Sequence, residues 1–184
     1  MTKSGKMLVI SYIIILLLFI SLTISAQDRV IWKIDIGLEK SAQPAVAEDG
    51  TIYLAGDRWH LTAVNPAGKI KWKYRADDRR LSGPTVDKKG NIYFLDESAK
   101  LYALNSDGSV KWTKTIGNRA FMSPSIGPEG TIYVFNLEND LYAFNSDGEI
   151  NWQHKINSFS NRNPVIWFDG TIYISAFRRD TYWH

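Results

Sequence analysis

Hydrophobic and polar residues alternate along KIKWKYRA, residues 69–76, with Ile70, Trp72 and Tyr74 on one side and three lysines on the other. Because successive side chains of a β-strand point to opposite faces, this pattern predicts a half-exposed strand. TIYVF, residues 131–135, is apolar on both faces, which predicts a strand covered on both sides. After residue 26, turn signals interrupt every window of eleven residues, so the pattern there indicates short strands rather than helices.

The pattern returns every 40 residues, as when LYALNSDGSVKW, residues 101–112, recurs as LYAFNSDGEINW, residues 141–152. In the third unit the four predicted strands fall in SPSIGPEG, TIYVFN, DLYAFN and EINWQHKI. A fixed period of this length is typical of a repeat architecture. The markers of the period include Pro44, Pro84, Pro124 and Pro164, and Gly50, Gly90, Gly130 and Gly170.

Four short antiparallel strands per unit, without a helix, are typical of a β-propeller blade. We therefore predict an all-β fold, a β-propeller of four-stranded antiparallel blades with about four blades present. The predicted blade units are residues 43–75, 83–115, 123–155 and 163–184, with 30–36 as a closing strand. Three alternatives remain open: a closed four-bladed ring, the N-terminal piece of a larger ring, and half-propellers that pair. The open forms predict self-association through exposed blade edges.

The segments AVNPAGKIKW, ALNSDGSVKW and AFNSDGEINW resemble the tryptophan-docking motif of the pyrroloquinoline-quinone-like (PQQ-like) β-propellers. The resemblance covers residues 30–184. In that family, small residues let a tryptophan lie between adjacent blades, and an indole needs such a flat partner to bury its large surface. The implied docking residues are Trp32, Trp72, Trp112 and Trp152, with Ala63, Ala103, Ala143, Gly68, Gly108 and Gly148.

The motif also departs from that of the family's enzymes. Asn65, Asn105 and Asn145 stand where the enzymes usually have Asp, and the turn is one residue shorter here. The chain therefore resembles the non-enzymatic, cofactor-free branch of the family. By resemblance, quinone-dependent catalysis requires a calcium site, a catalytic Asp and, in many members, a vicinal disulfide. The disulfide is excluded because the chain has no Cys.

The residues themselves predict neither a catalytic site nor a metal site. The three histidines, His60, His154 and His184, lie at different phases of the repeat. A calcium loop needs several converging oxygen ligands, yet Asp107 of NSDG is replaced by Ala67 in the preceding unit. We therefore expect no enzyme activity and no cofactor, and we interpret NSDG as a hairpin turn.

The first 26 residues predict an export signal, because Lys3 and Lys6 precede an apolar run over residues 8–24 and small residues follow it. An uncleaved membrane anchor is the alternative. Export without Cys indicates a periplasmic or extracellular protein of the bacterial cell envelope. Removing this segment takes 2 of the 22 basic residues and leaves 20 against 19 acidic ones, a net charge of +1. That balance argues against nucleic-acid binding.

A candidate binding face lies in the loops that join strand four to the next blade and strand two to strand three. These loops predict a docking face for another envelope protein or a glycan, with ordinary solvated charges as the alternative. Its candidate residues are Arg58, Trp59, Arg79, Arg119, Arg178 and Arg179.

The main hypothesis is a non-catalytic, scaffold-like extracytoplasmic binding module, resembling the propeller that helps assemble outer-membrane proteins. The alternative is a fragment of a quinoprotein-type oxidoreductase or of a membrane-anchored sensor ectodomain.

The hypothesis of a cofactor-free scaffold can be tested directly. Adding pyrroloquinoline quinone and Ca²⁺ to the purified protein should leave its absorption spectrum and melting temperature unchanged, because a ligand that binds the folded state raises the free energy of unfolding. A shifted absorption spectrum or a raised melting temperature would contradict the hypothesis.

Overall fold

The computed structural model describes residues 32–34, 43–56, 59–78, 80–157 and 162–175. These ranges contain fourteen β-strands and no helix, and so no helix in them is long and apolar enough to cross a membrane. The strands are β1 Ala45–Val46, β2 Ile52–Ala55, β3 His60–Val64, β4 Ile70–Arg75, β5 Thr85–Val86, β6 Ile92–Leu95, β7 Lys100–Leu104, β8 Val110–Thr115, β9 Ser125–Ile126, β10 Ile132–Phe135, β11 Asp140–Phe144, β12 Ile150–Lys155, β13 Val165–Ile166 and β14 Ile172–Tyr173.

The chain divides into two compact units, Met1–Lys33 and Ile34–His184. All the described strands belong to the second unit. The predicted export segment, residues 1–26, lies outside the described residues. Of the predicted closing strand at 30–36, residues 32–34 are described and none of these three is in a strand, so this strand remains a prediction.

The second unit is built from sheets whose strands pair in chain order and antiparallel. β1–β4, β5–β8 and β9–β12 each form a four-stranded sheet, and β13 pairs with β14. The first strands lie side by side, since β1 contacts β5, β5 contacts β9 and β9 contacts β13. This arrangement confirms the predicted all-β propeller with 40-residue blades. The predicted third strand of the last blade lies beyond residue 175, outside the described residues.

The hairpin between the third and fourth strands has the same geometry in each complete blade. In the second blade Gly108 N–H donates to Asn105 O, and Asn105 N–H donates to Ser109 O, both over 2.9 Å. Gly108 has a φ of +88°, which glycine adopts without steric cost. A type I turn followed by such a residue also produces a bulge, and the register shifts between Ala103 and Leu104. The interpretation of NSDG as a turn is therefore confirmed.

The hydrophobic core lies between successive blades. All four residues of β6 and of β10 are buried, as expected for strands that are apolar on both faces. Phe94 of the second blade packs in one cluster with Tyr53 and Leu61 of the first, and its ring stacks on Tyr102 at 4.8 Å between centroids. Burying each such side chain contributes about 1.5–3 kcal/mol. Because each blade covers its neighbour, no blade can bury its apolar faces alone.

The predicted docking tryptophans extend across the blade boundary. The Trp112 indole Nε1–H donates to the Ser146 carbonyl oxygen of the third blade over 3.0 Å. The indole lies against Gly148, where an added Cβ would stand 2.6 Å from a ring carbon. Trp72 repeats both contacts in the second blade, with Ser106 O at 3.0 Å and with Gly108.

Two further members of the predicted docking set differ from this pair. Trp152 is 40% exposed, and the centroid of its ring lies 5.8 Å from that of Tyr133. Trp32 belongs to the separate compact unit Met1–Lys33. The small residues Ala63, Ala103 and Ala143 are the cross-strand partners of Trp72, Trp112 and Trp152. We propose that the indole-to-glycine contacts fasten one blade to the next.

Comparing substitutions at two glycines with similar φ values separates the effect of the docking contact from that of the backbone conformation. Gly148 and Gly130 have φ values of +82° and +81°, but a Cβ would meet Trp112 at Gly148 and nothing within 4 Å at Gly130. Gly130→Ala should cost about 1–2 kcal/mol from the left-handed backbone alone. We expect Gly148→Ala to cost about 2 kcal/mol more, because it displaces a packed indole.

Urea unfolding at constant m-value measures both losses. Equal losses for the two variants would contradict a stabilising role of the Trp112 contact.

Candidate functional site

The loops after the fourth strands and the turns between the second and third strands meet at one end of the blades. Ala76 N–H donates to Trp59 O over 2.7 Å, and the equivalent bond from Ile116 to Ala99 O, 40 residues later, is 3.0 Å. We call this surface the loop face. Its backbone is held in place by main-chain bonds that repeat from blade to blade.

A second set of bonds ties these loops to the blades on both sides. Ala120 N–H donates to Glu97 O of the preceding blade over 3.3 Å, and Leu137 N–H of the next blade donates to Arg119 O over 2.9 Å. The Ser82 hydroxyl also accepts from Leu95 N–H over 2.9 Å. The loop face is therefore a fixed surface on which side chains are presented from defined backbone positions.

An exposed aromatic ring on the loop face has two guanidinium groups close to it. Phe121 is 37% exposed, with the Arg119 guanidinium 5.0 Å and the Arg80 guanidinium 5.7 Å from the ring centroid. Both arginines also pair with Glu97, at 2.7 Å from Arg119 and 3.8 Å from Arg80. We call Arg80, Glu97, Arg119 and Phe121 the Phe121 cluster. It carries two positive charges and one negative charge beside an accessible ring.

The predicted binding-face residues have different positions. Arg119 belongs to the Phe121 cluster, whereas Trp59 lies in the first blade with the Arg75 guanidinium 5.3 Å from its ring. Trp59 also has a φ of +68°, which is uncommon for a residue with a side chain. The candidates Arg58, Arg79, Arg178 and Arg179 lie outside the described residues.

Phe121, Arg80 and Glu97 are not among the residues that the sequence predicts for the binding face. The available signal was a break in the repeat, because Phe121 occupies the position of Leu81 in the preceding unit. Leu81 is buried and Phe121 is exposed. Because the apolar side chain at this position is buried in one described blade and exposed in the next, Phe121 is a candidate for a binding surface.

A buried hydrogen-bond network supports the loop face from below. The fully buried Asp96 accepts from the Tyr102 hydroxyl over 2.8 Å and from Lys100 N–H over 2.9 Å. The same hydroxyl accepts from Asp77 N–H over 3.0 Å, and the Lys100 ammonium lies 2.7 Å from the Asp77 carboxylate. The network joins the loop after β4 to the turn between β6 and β7.

Contacts within this network, and burial, shift the pKa values of several of its side chains. The hydrogen bond from Lys100 lowers the pKa of Asp77 and, reciprocally, raises the pKa of Lys100. Burial, followed by the Asp96 carboxylate, raises the pKa of Tyr102 well above its usual range. Tyr93 is likewise raised in pKa, first by burial and then by Asp87. These groups therefore keep their ordinary neutral-pH charge states over a wider pH range.

A cleft opens at the opposite end of the strands, among the turns that join first to second strands. Its volume is about 910 Å³. Its margins include Lys88, Lys89 and Glu129 and the aromatic pair Trp167 and Phe168, whose ring centroids are 5.1 Å apart. We call it the turn cleft. Within the ranges that the structure describes, no three His, Asp or Glu side chains form a cluster able to hold a metal ion.

The sheet order, the adjacent first strands and the repeated loop contacts define a β-propeller. A family model described as outer membrane protein assembly factor BamB matches residues 22–181, and the chain belongs to this family. The resemblance to the PQQ-like propellers seen in the sequence is thereby confirmed. No curated protein sequence matches the chain.

Solved structures show the same fold at low identity. BamB from Moraxella catarrhalis aligns over 79% of this chain and 46% of its own, with 13% identity and a TM-score of 0.68. A streptogramin B lyase aligns over 78% and 50%, with 15% identity and a TM-score of 0.65. The WD40 propeller domain of Doa1 aligns over 74% of this chain and 48% of its own, with 10% identity and a TM-score of 0.66. The chain thus spans about half the length of these structures.

The buried tyrosines predict a delayed alkaline titration. Because the pKa of Tyr102 and of Tyr93 is raised in the folded state, their contribution to stability is complete below the unfolded pKa of about 10 and is lost as the pH rises above it. We expect the absorbance of tyrosinate at 295 nm to lag in the folded protein, and Tyr102→Phe to reduce the lag.

The same titration in denaturant provides the control, in which the lag should disappear. Ionisation of all nine tyrosines near pH 10 in the folded protein would contradict the prediction.

Proposed function

We propose that this protein is an exported, non-catalytic scaffold of the bacterial cell envelope that binds another protein through its loop face. The observation that carries the proposal is the Phe121 cluster, an exposed ring with two guanidinium groups over it. Residues 1–26 would direct export, and the blades would supply the rigid support.

The composition of the cluster favours a protein partner. Aromatic residues and arginine are enriched among the few interface residues that carry most of the binding free energy. Phe121 is also pre-organised, because two guanidinium groups and the Glu97 bridges restrict its surroundings, and this lowers the entropy lost on binding. The bridges themselves are largely solvent-exposed and contribute little to stability.

Membership of the BamB family supports the same function, since that family is described as an outer membrane protein assembly factor. It does not favour a quinoprotein-type oxidoreductase. The likeness to a streptogramin B lyase, at 15% identity, concerns the fold alone. A glycan partner has less support, because the Phe121 cluster combines one ring with charged groups rather than several stacking surfaces.

Site-specific photo-crosslinking in intact cells tests the proposal. A photoreactive phenylalanine analogue at Phe121 should give a discrete adduct with one envelope protein, because the ring would be buried at the interface. The same analogue at Lys114, an exposed residue of the outer strand β8, is the control and should give no such adduct.

Charge variants make the test more specific. Arg80→Ala combined with Arg119→Ala should reduce the Phe121 adduct about tenfold, as expected when interface arginines are truncated. The absence of a protein adduct at Phe121, or equal adducts at both positions, would overturn the proposal.

A further inference from the structure

The turn at the start of the last blade differs from its equivalents. Trp167 and Phe168 are 52% and 77% exposed, yet the hairpin itself is regular, since Gly170 N–H donates to Trp167 O over 3.0 Å. An ordinary turn therefore presents two large apolar side chains to solvent. The residues at the same positions in the three earlier blades are Ala47 and Glu48, Asp87 and Lys88, and Gly127 and Pro128.

These side chains border the turn cleft on its fourth-blade side. The first strands of three blades contribute Val86, Ile126 and Ile166 to the same cleft, so its lining combines aliphatic side chains with the aromatic pair. A volume of about 910 Å³ lies within the range of clefts that enclose specific ligands, about 300–1,000 Å³. The cleft is thus large enough for several residues of a peptide.

Lysines border the cleft on its second-blade side. Lys88 and Lys89 are both exposed, and in the described part of the chain neither forms an ion pair. The neighbouring Asp87 uses its carboxylate inside its own turn, accepting from Asn91 N–H over 2.9 Å and from the Tyr93 hydroxyl over 3.0 Å. The two ammonium groups are therefore available to an anionic ligand.

We propose that the turn cleft binds an extended peptide that carries both apolar and acidic side chains. Its aromatic or aliphatic groups would pack on Trp167 and Phe168, and its carboxylates would face Lys88 and Lys89. A neutral glycan would leave both ammonium groups unused, and a membrane surface does not fit a concave site. Glu129 borders the same cleft, and its negative charge repels the carboxylates of the peptide and weakens binding.

This site is independent of the loop face. It is built from turns between first and second strands, with part of the hairpin between β11 and β12, at the opposite end of the strands from the turns between second and third strands. Both faces are therefore accessible at the same time, and the peptide site adds a second binding function to the scaffold.

The probe is a blocked, fluorescein-labelled hexapeptide of alternating phenylalanine and aspartate, titrated with the full-length protein and followed by fluorescence anisotropy. We expect saturable binding that weakens at high salt, because the charges involved are solvent-exposed. Trp167→Ala, and Lys88→Glu combined with Lys89→Glu, should each raise the dissociation constant about tenfold. Glu129→Gln should lower it.

Matched controls separate binding from folding. Lys114→Glu, on an outer strand, should change the dissociation constant by less than about twofold. All these substitutions are at exposed or half-exposed positions, and an unchanged melting temperature verifies that each variant folds. Trp167→Ala should also leave the Phe121 photo-adduct unchanged, so that failure of this site and failure of the loop face are distinguishable.

Four results would overturn the proposal. They are no binding at about 1 mM protein, equal affinity for a hexapeptide of alternating phenylalanine and lysine, an unchanged dissociation constant after the Lys88 and Lys89 reversal, and binding of chitotetraose in place of the peptide. A complex that is not detected at about 1 mM protein has a binding free energy weaker than roughly 4 kcal/mol.

Discussion

At both junctions between complete blades, an indole from one sheet lies against a glycine in the next. The contact needs three features together: a turn that requires a positive φ, the absence of a side chain there, and a carbonyl oxygen within reach of the indole N–H. An indole buries about 150–250 Å², and we propose that this contact adds to the buried clusters that join a blade to its neighbour. The constant 40-residue period follows, because an insertion would move the tryptophan away from its glycine.

The same constraint separates positions that build the fold from positions available for function. Leu81 is buried, whereas Phe121 at the equivalent position is exposed and has two arginines over its ring. Trp167 and Phe168 likewise occupy a regular turn without serving its geometry. At Trp167 the main-chain hydrogen bond of the turn is retained, whereas Leu81 forms a bridge with Asp96 that the described bonds of Phe121 do not repeat. A turn of the propeller can therefore carry different side chains on the same main-chain hydrogen bonds.

The strands and the hairpin turns could be predicted from the sequence because their signals are local: alternation in KIKWKYRA, and Asn and Gly at fixed offsets in NSDG. The Phe121 cluster could not, because it joins Arg80, Glu97 and Arg119 from separate loops. The partners of Asp96 could not be predicted for the same reason. An isolated Asp in a turn is ordinarily solvated, and only the tertiary structure places the Tyr102 hydroxyl 2.8 Å from it.

The turns between second and third strands contain Trp59, Ala99 and Asn139 with φ values of +68°, +57° and +66°. A left-handed residue with a side chain costs about 1–2 kcal/mol, and the described blades carry this strain at three equivalent corners. The side chains there are an indole, a methyl group and an amide, and the methyl group of Ala99 is fully buried. The left-handed conformation therefore belongs to the corner and not to one residue type, so that side chains of different size and polarity share the same backbone frame.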